Sequence, residues 1–344
     1  MDRYDRQRRV HTIGDKGQAK INHSTVLIVG MGALGTYAAA QLVRAGIGKL
    51  ILVDPDIVTL TNLQRQALFT EEDASSSTLK VEAAKQRLLQ INSQVEIIAI
   101  PAPLSADLID ECSFDLCLDC LDNYSARDLL NRLAIKNHFD YVFASCAGNY
   151  GNVMVISPAN HPCLNCLFPN INELKQNDCD IIGVNTALIP LVAGMQVSQA
   201  LHYLVAEDSV DFDHLLTVDN WSMSSARFKI NKNPHCPTCQ RPSAITVDEQ
   251  KTELHMLCGE GAFYTNLKQP ILDKWRSHLN RDGKLLGSSP LFIHFSWRGR
   301  PVSLFKNGKL IMYQLEDSKE ATTQLVSLKQ FAEQITGDDN EWEK

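Results

Sequence analysis

The stretch TVLIVGMGALGTYAAAQLV, residues 25–43, decides the fold. It opens with an apolar, β-branched run that favours a strand, and after the glycines it becomes a helix-like pattern closed by Gly46. Gly30, Gly32 and Gly35 follow the strand and precede the helix, which is the context a nucleotide-binding glycine turn requires. The first glycine permits a tight turn, the second lets the backbone approach phosphate, and the third lets helix and strand pack closely. A second strand, KLILVDPD (49–56), places Asp54 at its end to accept hydrogen bonds from ribose hydroxyls. The turn and its acid point to a nucleotide without separating NAD, FAD and ATP.

The segment VTLTNLQRQALF (58–69) narrows the choice. It is too polar for core and brings Asn62, Gln64 and Arg65 just beyond the ribose acid, while Lys80 begins the next helix and Arg6 lies in the N-terminal RYDRQRR. A dinucleotide has only a diphosphate to neutralise. Several cationic donors instead suit a triphosphate attacked at its α-phosphorus, where charge grows on the oxygens. A triphosphate also calls for Mg²⁺. Asp122 in LDCLDN stands at the carboxyl end of the fourth strand, where it can hold that ion, cap the helix SARDLL, or do both.

Ten cysteines in such a chain read as metal ligands, reactive thiols or small core residues. Cys163 and Cys166 in PCLNC and Cys236 and Cys239 in PHCPTC form two C-x-x-C pairs, which suit a closed, structural Cys₄ zinc site. Cys117 and Cys120 in CLDC have the same spacing but lie in a strand run, where residues three apart point to opposite faces, so they are not read as ligands. Cys179 sits in the polar, loop-like NELKQNDCDIIG ahead of a long helix, a setting for a nucleophilic thiol. Cys112, Cys146 and Cys258 read as core or incidental positions.

Strands at VEIIAI (95–100), FDLCLDC (114–120), DYVFASC and GNVMVIS alternate with helical patterns such as KVEAAKQRLLQIN (80–92). That alternation predicts an α/β, Rossmann-like doubly wound and mostly parallel sheet, closed by an antiparallel pair at LLTVDN and SARFKI. QRPSAITVDEQK (240–251) reads as a linker. Beyond it short strands, an Asn307-Gly308 hairpin signal, a helix and an acidic tail predict a small α+β unit. The expected domains are residues 1–245 and 246–344. A net charge of −7 and a pI near 5.8 argue against a polyanion binder, so no nucleic-acid partner is expected. No apolar run is read as approaching the roughly 18–20 residues a bilayer needs, and the start lacks a secretory pattern, so no membrane role and a cytoplasmic location are expected.

Taken in order, RYDRQ, GMGALG, LVDPD, LTNLQRQ, LKVEAAKQRL, DCLDN, PCLNC, NDCD and CPTC closely resemble the ThiF/MoeB/HesA family, bacterial relatives of ubiquitin-activating enzymes. The resemblance implies an adenylyltransferase. In such an enzyme the C-terminal glycine carboxylate of a small ubiquitin-like sulfur carrier, ThiS-like or MoaD-like, attacks the α-phosphate of ATP, giving an acyl-adenylate and pyrophosphate. It further implies that Gly30, Gly32, Ala33 and Gly35 line the nucleotide, that Asp54 binds ribose beside Asp56, and that Asn62, Arg65 and Lys80 meet the phosphates. Asp122 matches the magnesium aspartate, and the four cysteines match zinc ligands. Arg6 resembles an arginine that reaches into a partner subunit's site, which implies a homodimer. Cys179 matches a thiol that links covalently to the carrier in thiamine-type members, with a cysteine desulfurase as a further expected partner.

Ala33 stands where the family commonly has glycine, Leu79 where it has the proline before the lysine, and CDIIGVNTALIP departs from a CDTAG-like sequence. The C-terminal unit resembles extensions on longer ThiF-like members; Cys258 lacks the anion-cradling loop and helix of a rhodanese. Thiazole (thiamine) synthesis is the expected pathway and molybdopterin synthesis its nearest variant. A NAD- or FAD-dependent oxidoreductase accounts for the glycine turn and Asp54 but not for the arginines and cysteine pairs. A non-catalytic carrier-binding scaffold sits poorly with Arg6, Arg65, Lys80 and Asp122 all in place, and a dehydratase acting on a tRNA base sits poorly with the acidic pI.

Overall fold

The computed structural model describes residues 3–176, 183–240, 254–257, 261–267, 270, 272–281, 284–290, 292–306 and 308–336. Two compact units divide the chain between Val247 and Asp248. The first begins with α1 (Asp5–Arg8), α2 (Gly14–His23), β1 (Thr25–Val29), α3 (Ala33–Ala45) and β2 (Lys49–Val53). It continues through α4 (Glu71–Ser75), α5 (Lys80–Ile91), β3 (Glu96–Ile100), α6 (Ala106–Glu111), β4 (Leu116–Asp119), α7 (Tyr124–Asn137), β5 (Tyr141–Ala147) and β6 (Tyr150–Ile156). Then come α8 (Leu164–Leu167), α9 (Ile171–Gln176), α10 (Leu188–Ala206), β7 (His214–Asp219) and β8 (Ser224–Lys229).

The strands form one sheet in the order β3-β2-β1-β4-β5-β6-β7-β8. The first five in that order run parallel, and β6, β7 and β8 are antiparallel to their neighbours. The antiparallel part therefore has three strands, starting at the AGNYG turn between β5 and β6, where Gly148 takes a left-handed φ of 59°. Because strand side chains alternate faces, the unbroken apolar runs of β1, β2 and β4 fill two cores at once. Val26, Ile28, Leu50 and Leu52 pack with α3, α5 and α10 side chains, while Leu27, Val29, Ile51 and Val53 pack with those of α6 and α7. This is the predicted doubly wound architecture, and its strand order reverses between β1 and β4, which leaves a crevice at their carboxyl ends.

Helix α3 ends as its sequence directs. Gly46 has φ 85°, and the N–H groups of Gly46 and Ile47 reach the carbonyls of Val43 and Leu42. Helix α10 corrects the sequence reading. Leu188–Ser209, with mean hydropathy 1.3, is long and apolar enough to meet a membrane-span criterion. Its buried seam, Leu188, Ile189, Val192, Ala193, Val197 and Ala200, belongs to the core beneath the sheet, and 39% of the apolar window is buried within the protein.

In the second unit β9 (His255–Leu257), β10 (Ala262–Asn266), β11 (Leu285–Ser289), β12 (Phe292–Trp297), β13 (Arg300–Phe305) and β14 (Lys309–Met312) form an antiparallel sheet in the order β11-β12-β13-β14-β10-β9. Helices α11 (Leu272–Arg281) and α12 (Ser318–Thr336) supply Trp275, Leu279, Leu328 and Ala332 to its core. The α+β character follows the sequence reading; β9, β10, α11 and β11 were not read from it. Gly308 has φ 92° at the expected hairpin, whereas Asn307, Cys258 and nearly all of the proposed linker lie outside the described residues.

One polar side chain stitches the first core. Gln196, fully buried in α10, donates Nε2 to the carbonyls of Asp119 and Val142, both at 2.9 Å, tying the exit of β4 to β5. Gln196→Leu leaves those contacts unmade and is expected to cost about 1–3 kcal/mol, read as a lowered urea midpoint of the full chain at unchanged m-value. An unchanged midpoint would show the stitch to be dispensable.

Candidate active site

The β1–α3 turn has the geometry its glycines require. Gly30 has φ 96°, and a Cβ there would lie 2.5 Å from the Cys120 carbonyl oxygen. A Cβ on Gly35 would lie 1.9 Å from the Gly30 carbonyl oxygen, so α3 seats directly on the turn. Gly32 differs: a Cβ there would meet only Gln66 Nε2, at 3.8 Å. The space in front of Gly32, at the start of α3, is open to an incoming group, and Ala33 follows it as the first helical residue.

Asp54 closes the turn from the other side. Its Oδ2 accepts the Met31 N–H at 2.6 Å and its Oδ1 the Asp56 N–H at 2.8 Å, which locks the exits of β1 and β2 together. Each oxygen keeps a second lone pair for a hydroxyl. Burial pushes the Asp54 carboxyl up to about 6, with Lys80 opposing the rise and Asp56 adding to it.

Lys80 heads α5. Its N–H donates to the Asp56 carbonyl at 2.9 Å and its Nζ to Asp56 Oδ2 at 2.9 Å, with the side chain almost wholly buried. Burial alone pulls the ammonium down, but Asp56 and Asp54 outweigh it and hold the group charged. Leu79, in the position of the expected proline, has φ −62° and ψ 132°, values a proline would also adopt, and it is buried in a bridge with Ile57. Lys80 therefore starts its helix without the proline.

Asp122 leaves β4 facing the same cluster. Its side chain is open to solvent, yet the surrounding protein limits its hydration and raises its pKa, opposed by Lys80 and aided by Asp56. Asn123, not Asp122, caps α7: Asn123 Oδ1 accepts the Ala126 N–H at 2.8 Å. The capping role read for Asp122 thus falls to its neighbour, leaving the Asp122 carboxylate facing the cleft. Three carboxylates, Asp54, Asp56 and Asp122, converge on one ammonium. That excess of oxygen donors suits a hard divalent cation such as Mg²⁺. A further mark of a polar ligand is Gln66, which is buried with its Oε1 unpartnered beside the open Gly32.

The polar segment 58–69 lies at this cleft as a 3-10 turn, Leu60–Asn62, with Thr59 and Asn62 forming a reciprocal cap. Asn62 Oδ1 accepts the Thr59 N–H, and Arg65 Nη1 donates to the Thr61 carbonyl at 3.0 Å, so both side chains shape the turn first. Gln64 Oε1 accepts a hydrogen bond from Thr186 at 2.8 Å, linking this segment to the start of α10. Arg6 is exposed on α1, and Cys179 lies outside the described residues. Cys112 and Cys146 are half-buried, and burial raises both thiols, Cys146 to about 12, in keeping with incidental positions.

The four paired cysteines do come together. Their sulfurs all lie within 4.8 Å of one another, with Cys163–Cys166 at 3.8 Å, Cys163–Cys236 at 3.7 Å and Cys166–Cys239 at 3.7 Å. A tetrahedron with Zn–S bonds of about 2.3 Å has edges of about 3.8 Å, so the donor set fits zinc and leaves no open coordination position. The Asn233 N–H points at Cys166 Sγ at 3.4 Å, a donor suited to a thiolate. On α7, Asn131 Oδ1 accepts from the Leu164 N–H and Tyr141, which anchors the first knuckle.

Sequence reading missed Gln66, Asp119 and Arg127. Gln66 belongs to the quoted TNLQRQ run, but nothing in the sequence sets it apart from Gln64, while Asp119 and Arg127 look like an ordinary strand acid and a helix-surface cation.

Residues 4–238 match the ThiF family model. The chain is 31% identical over 327 residues to a sulfur carrier protein ThiS adenylyltransferase of Bacillus subtilis, covering 93% of this chain and 96% of that relative. It is 33% identical over 248 residues to the protein of that description in Escherichia coli, covering 71% and 97%. Among solved structures, E. coli MccB with ATP superposes with a TM-score of 0.61 at 22% identity, over 70% of this chain and 74% of that one, a likeness of fold. The chain belongs to the ThiF family.

Two outcomes follow from these geometries. The purified protein is expected to carry one zinc per chain by elemental analysis and to lose both zinc and thermal stability on Cys236→Ser; full zinc retention in that variant would contradict the four-sulfur site. Nucleotide affinity is expected to fall as pH drops through about 6, because protonation of Asp54 removes an acceptor facing the Met31 and Asp56 N–H groups and the charge beside Lys80. Titration calorimetry between pH 5 and 8 would show this step in the wild type and not in Asp54→Asn; a step shared by both would assign it elsewhere.

Proposed function

We propose that this ThiF-family chain adenylates the C-terminal glycine carboxylate of a ubiquitin-like sulfur carrier, consuming ATP and releasing pyrophosphate, for sulfur transfer in thiamine thiazole synthesis. The observation that carries the reading is the convergence of Lys80, Asp54, Asp56 and Asp122 on an open glycine turn at the β1/β4 crevice. The two ThiS adenylyltransferases among its relatives favour a ThiS-like carrier, and a MoaD-like carrier of the molybdopterin route is the alternative.

In this scheme Asp54 accepts the ribose hydroxyls on its remaining lone pairs, with Asp56 beside it, while Gly30, Gly32, Ala33 and Gly35 let the phosphates lie against the backbone. Arg65 and Lys80 take up the charge that develops as the carrier carboxylate attacks the α-phosphorus and the bond to pyrophosphate breaks. Asn62 adds an amide donor from the 3-10 turn. Asp122 would hold Mg²⁺, which when bound neutralises phosphate oxygens and orients the leaving group. Arg6, exposed on α1, would serve the site of a second copy in a homodimer. Cys179 would then link covalently to the carrier during sulfur transfer, with AMP leaving the acyl-adenylate and a cysteine desulfurase supplying the sulfur.

ATP–pyrophosphate exchange, with candidate ubiquitin-like carriers tested one at a time, examines this directly. Exchange is expected with one carrier, to fall at least about a hundredfold in Asp122→Ala, and to persist in Cys179→Ala. Loss of exchange in the Cys179 variant would contradict the division between adenylation and later transfer.

A further inference from the structure

We propose that the buried Asp119–Arg127 pair is a positioning device for Asp122, fixing the peptide from which its carboxylate meets the magnesium ion of the bound nucleotide; this rests on the reading of Asp122 given above. Asp119 ends β4 and is completely buried. Its Oδ1 accepts the Leu121 N–H at 3.1 Å, and its Oδ2 accepts Arg127 Nη1 at 3.1 Å. Arg127, from the first turn of α7, also donates Nη2 to the Leu121 carbonyl. A single ion pair thereby holds both the N–H and the C=O of the residue before Asp122. On the other side Asn123 caps α7, and its Nδ2 donates to Asp122 Oδ1 at 3.2 Å. The Arg127 guanidinium lies 4.8 Å from the Phe143 ring centroid, which fixes its plane against β5.

The energetics favour a positioning role over a stabilising one. A buried ion pair repays its desolvation poorly, and apolar side chains of similar volume often stabilise a core as well or better. Apolar side chains cannot grip both polar groups of Leu121. Lysine in place of Arg127 keeps a charge for Asp119 but lacks the planar fork that reaches Asp119 and the Leu121 carbonyl together. Arginine at this position is therefore matched to the turn that carries Asp122 and not only to the neutralisation of Asp119.

The test is titration calorimetry of a non-hydrolysable ATP analogue, with and without Mg²⁺, on wild type, Arg127→Lys, Asp119→Asn and Asp122→Ala. In the wild type Mg²⁺ is expected to tighten binding, and Asp122→Ala is expected to abolish that gain. Arg127→Lys is expected to shrink the Mg²⁺-dependent gain about tenfold, a magnitude typical of a group that orients a metal ligand, while leaving the Mg²⁺-free affinity unchanged. Asp119→Asn, which keeps the acceptor for the Leu121 N–H, should give the same pattern, so the outcome does not hang on one variant's folding. Equal losses with and without Mg²⁺, or an intact gain in both variants, would overturn the positioning role. A wild type with no Mg²⁺-dependent gain would overturn the reading of Asp122 itself, and the positioning proposal with it.

Discussion

Everything at the sheet's carboxyl edge depends on the contact between Lys80 and Asp56. The backbone bond from Lys80 to the Asp56 carbonyl and the side-chain pair at 2.9 Å join the exit of β2 to the start of α5. Lys80 is almost wholly buried while Asp56 keeps 30% of its side chain exposed, so loss of Asp56 leaves a buried ammonium without its nearest partner. The constraint also organises charge. It offsets the downward pull of burial on the ammonium, and it sets that cation against Asp54 and Asp122 at the mouth of the crevice. The stability of the turn and the polarity of the cleft are thus one problem with one solution.

Around that pair the chain divides its glycines by task. Gly30 and Gly35 have no room for a Cβ and serve the packing of α3 on β1, whereas Gly32 faces open space beside the unpartnered Gln66 oxygen. Asp54 binds both halves of the turn through two backbone N–H groups, so the residue read as a ribose ligand is also a structural clasp. A group with both duties is costly to replace. The zinc-type cysteine cluster is fastened through Asn131 to α7, the helix whose first turn supports Asp122.

Much of this was legible in the sequence, for reasons that are local. The alternation of continuous apolar strands and helical patterns, the glycine spacing and the two C-x-x-C pairs are short-range signals, and each maps onto an observed element. Legibility failed where a role depends on an unforeseen neighbour. Asp119 and Arg127 acquire meaning only when β4 and α7 meet. Gln196 is one polar residue in an apolar helix until its amide is seen spanning β4 and β5. Asp122 carries a helix-cap signature that the adjacent Asn123 satisfies instead. The long helix expected after Cys179 is α10, although Gly194, Gln196 and Gln199 interrupt its apolar run. The strands β9 to β11 were missed because they are short, and β11 carries glycine and serines in place of β-branched residues.

The most direct test of an adenylating crevice asks which phosphorus of ATP is attacked. Intact-mass spectrometry of a ThiS-like carrier, incubated with MgATP and the Cys179→Ala protein, in which the reaction stops at the adenylate, reads the answer in one step. Adenylation predicts a carrier heavier by one AMP, with the adduct discharged by hydroxylamine and pyrophosphate as the only phosphate product. ADP and orthophosphate would place the chemistry at another phosphorus, and an unmodified carrier would show no adenylation; either contradicts the assignment of the cleft.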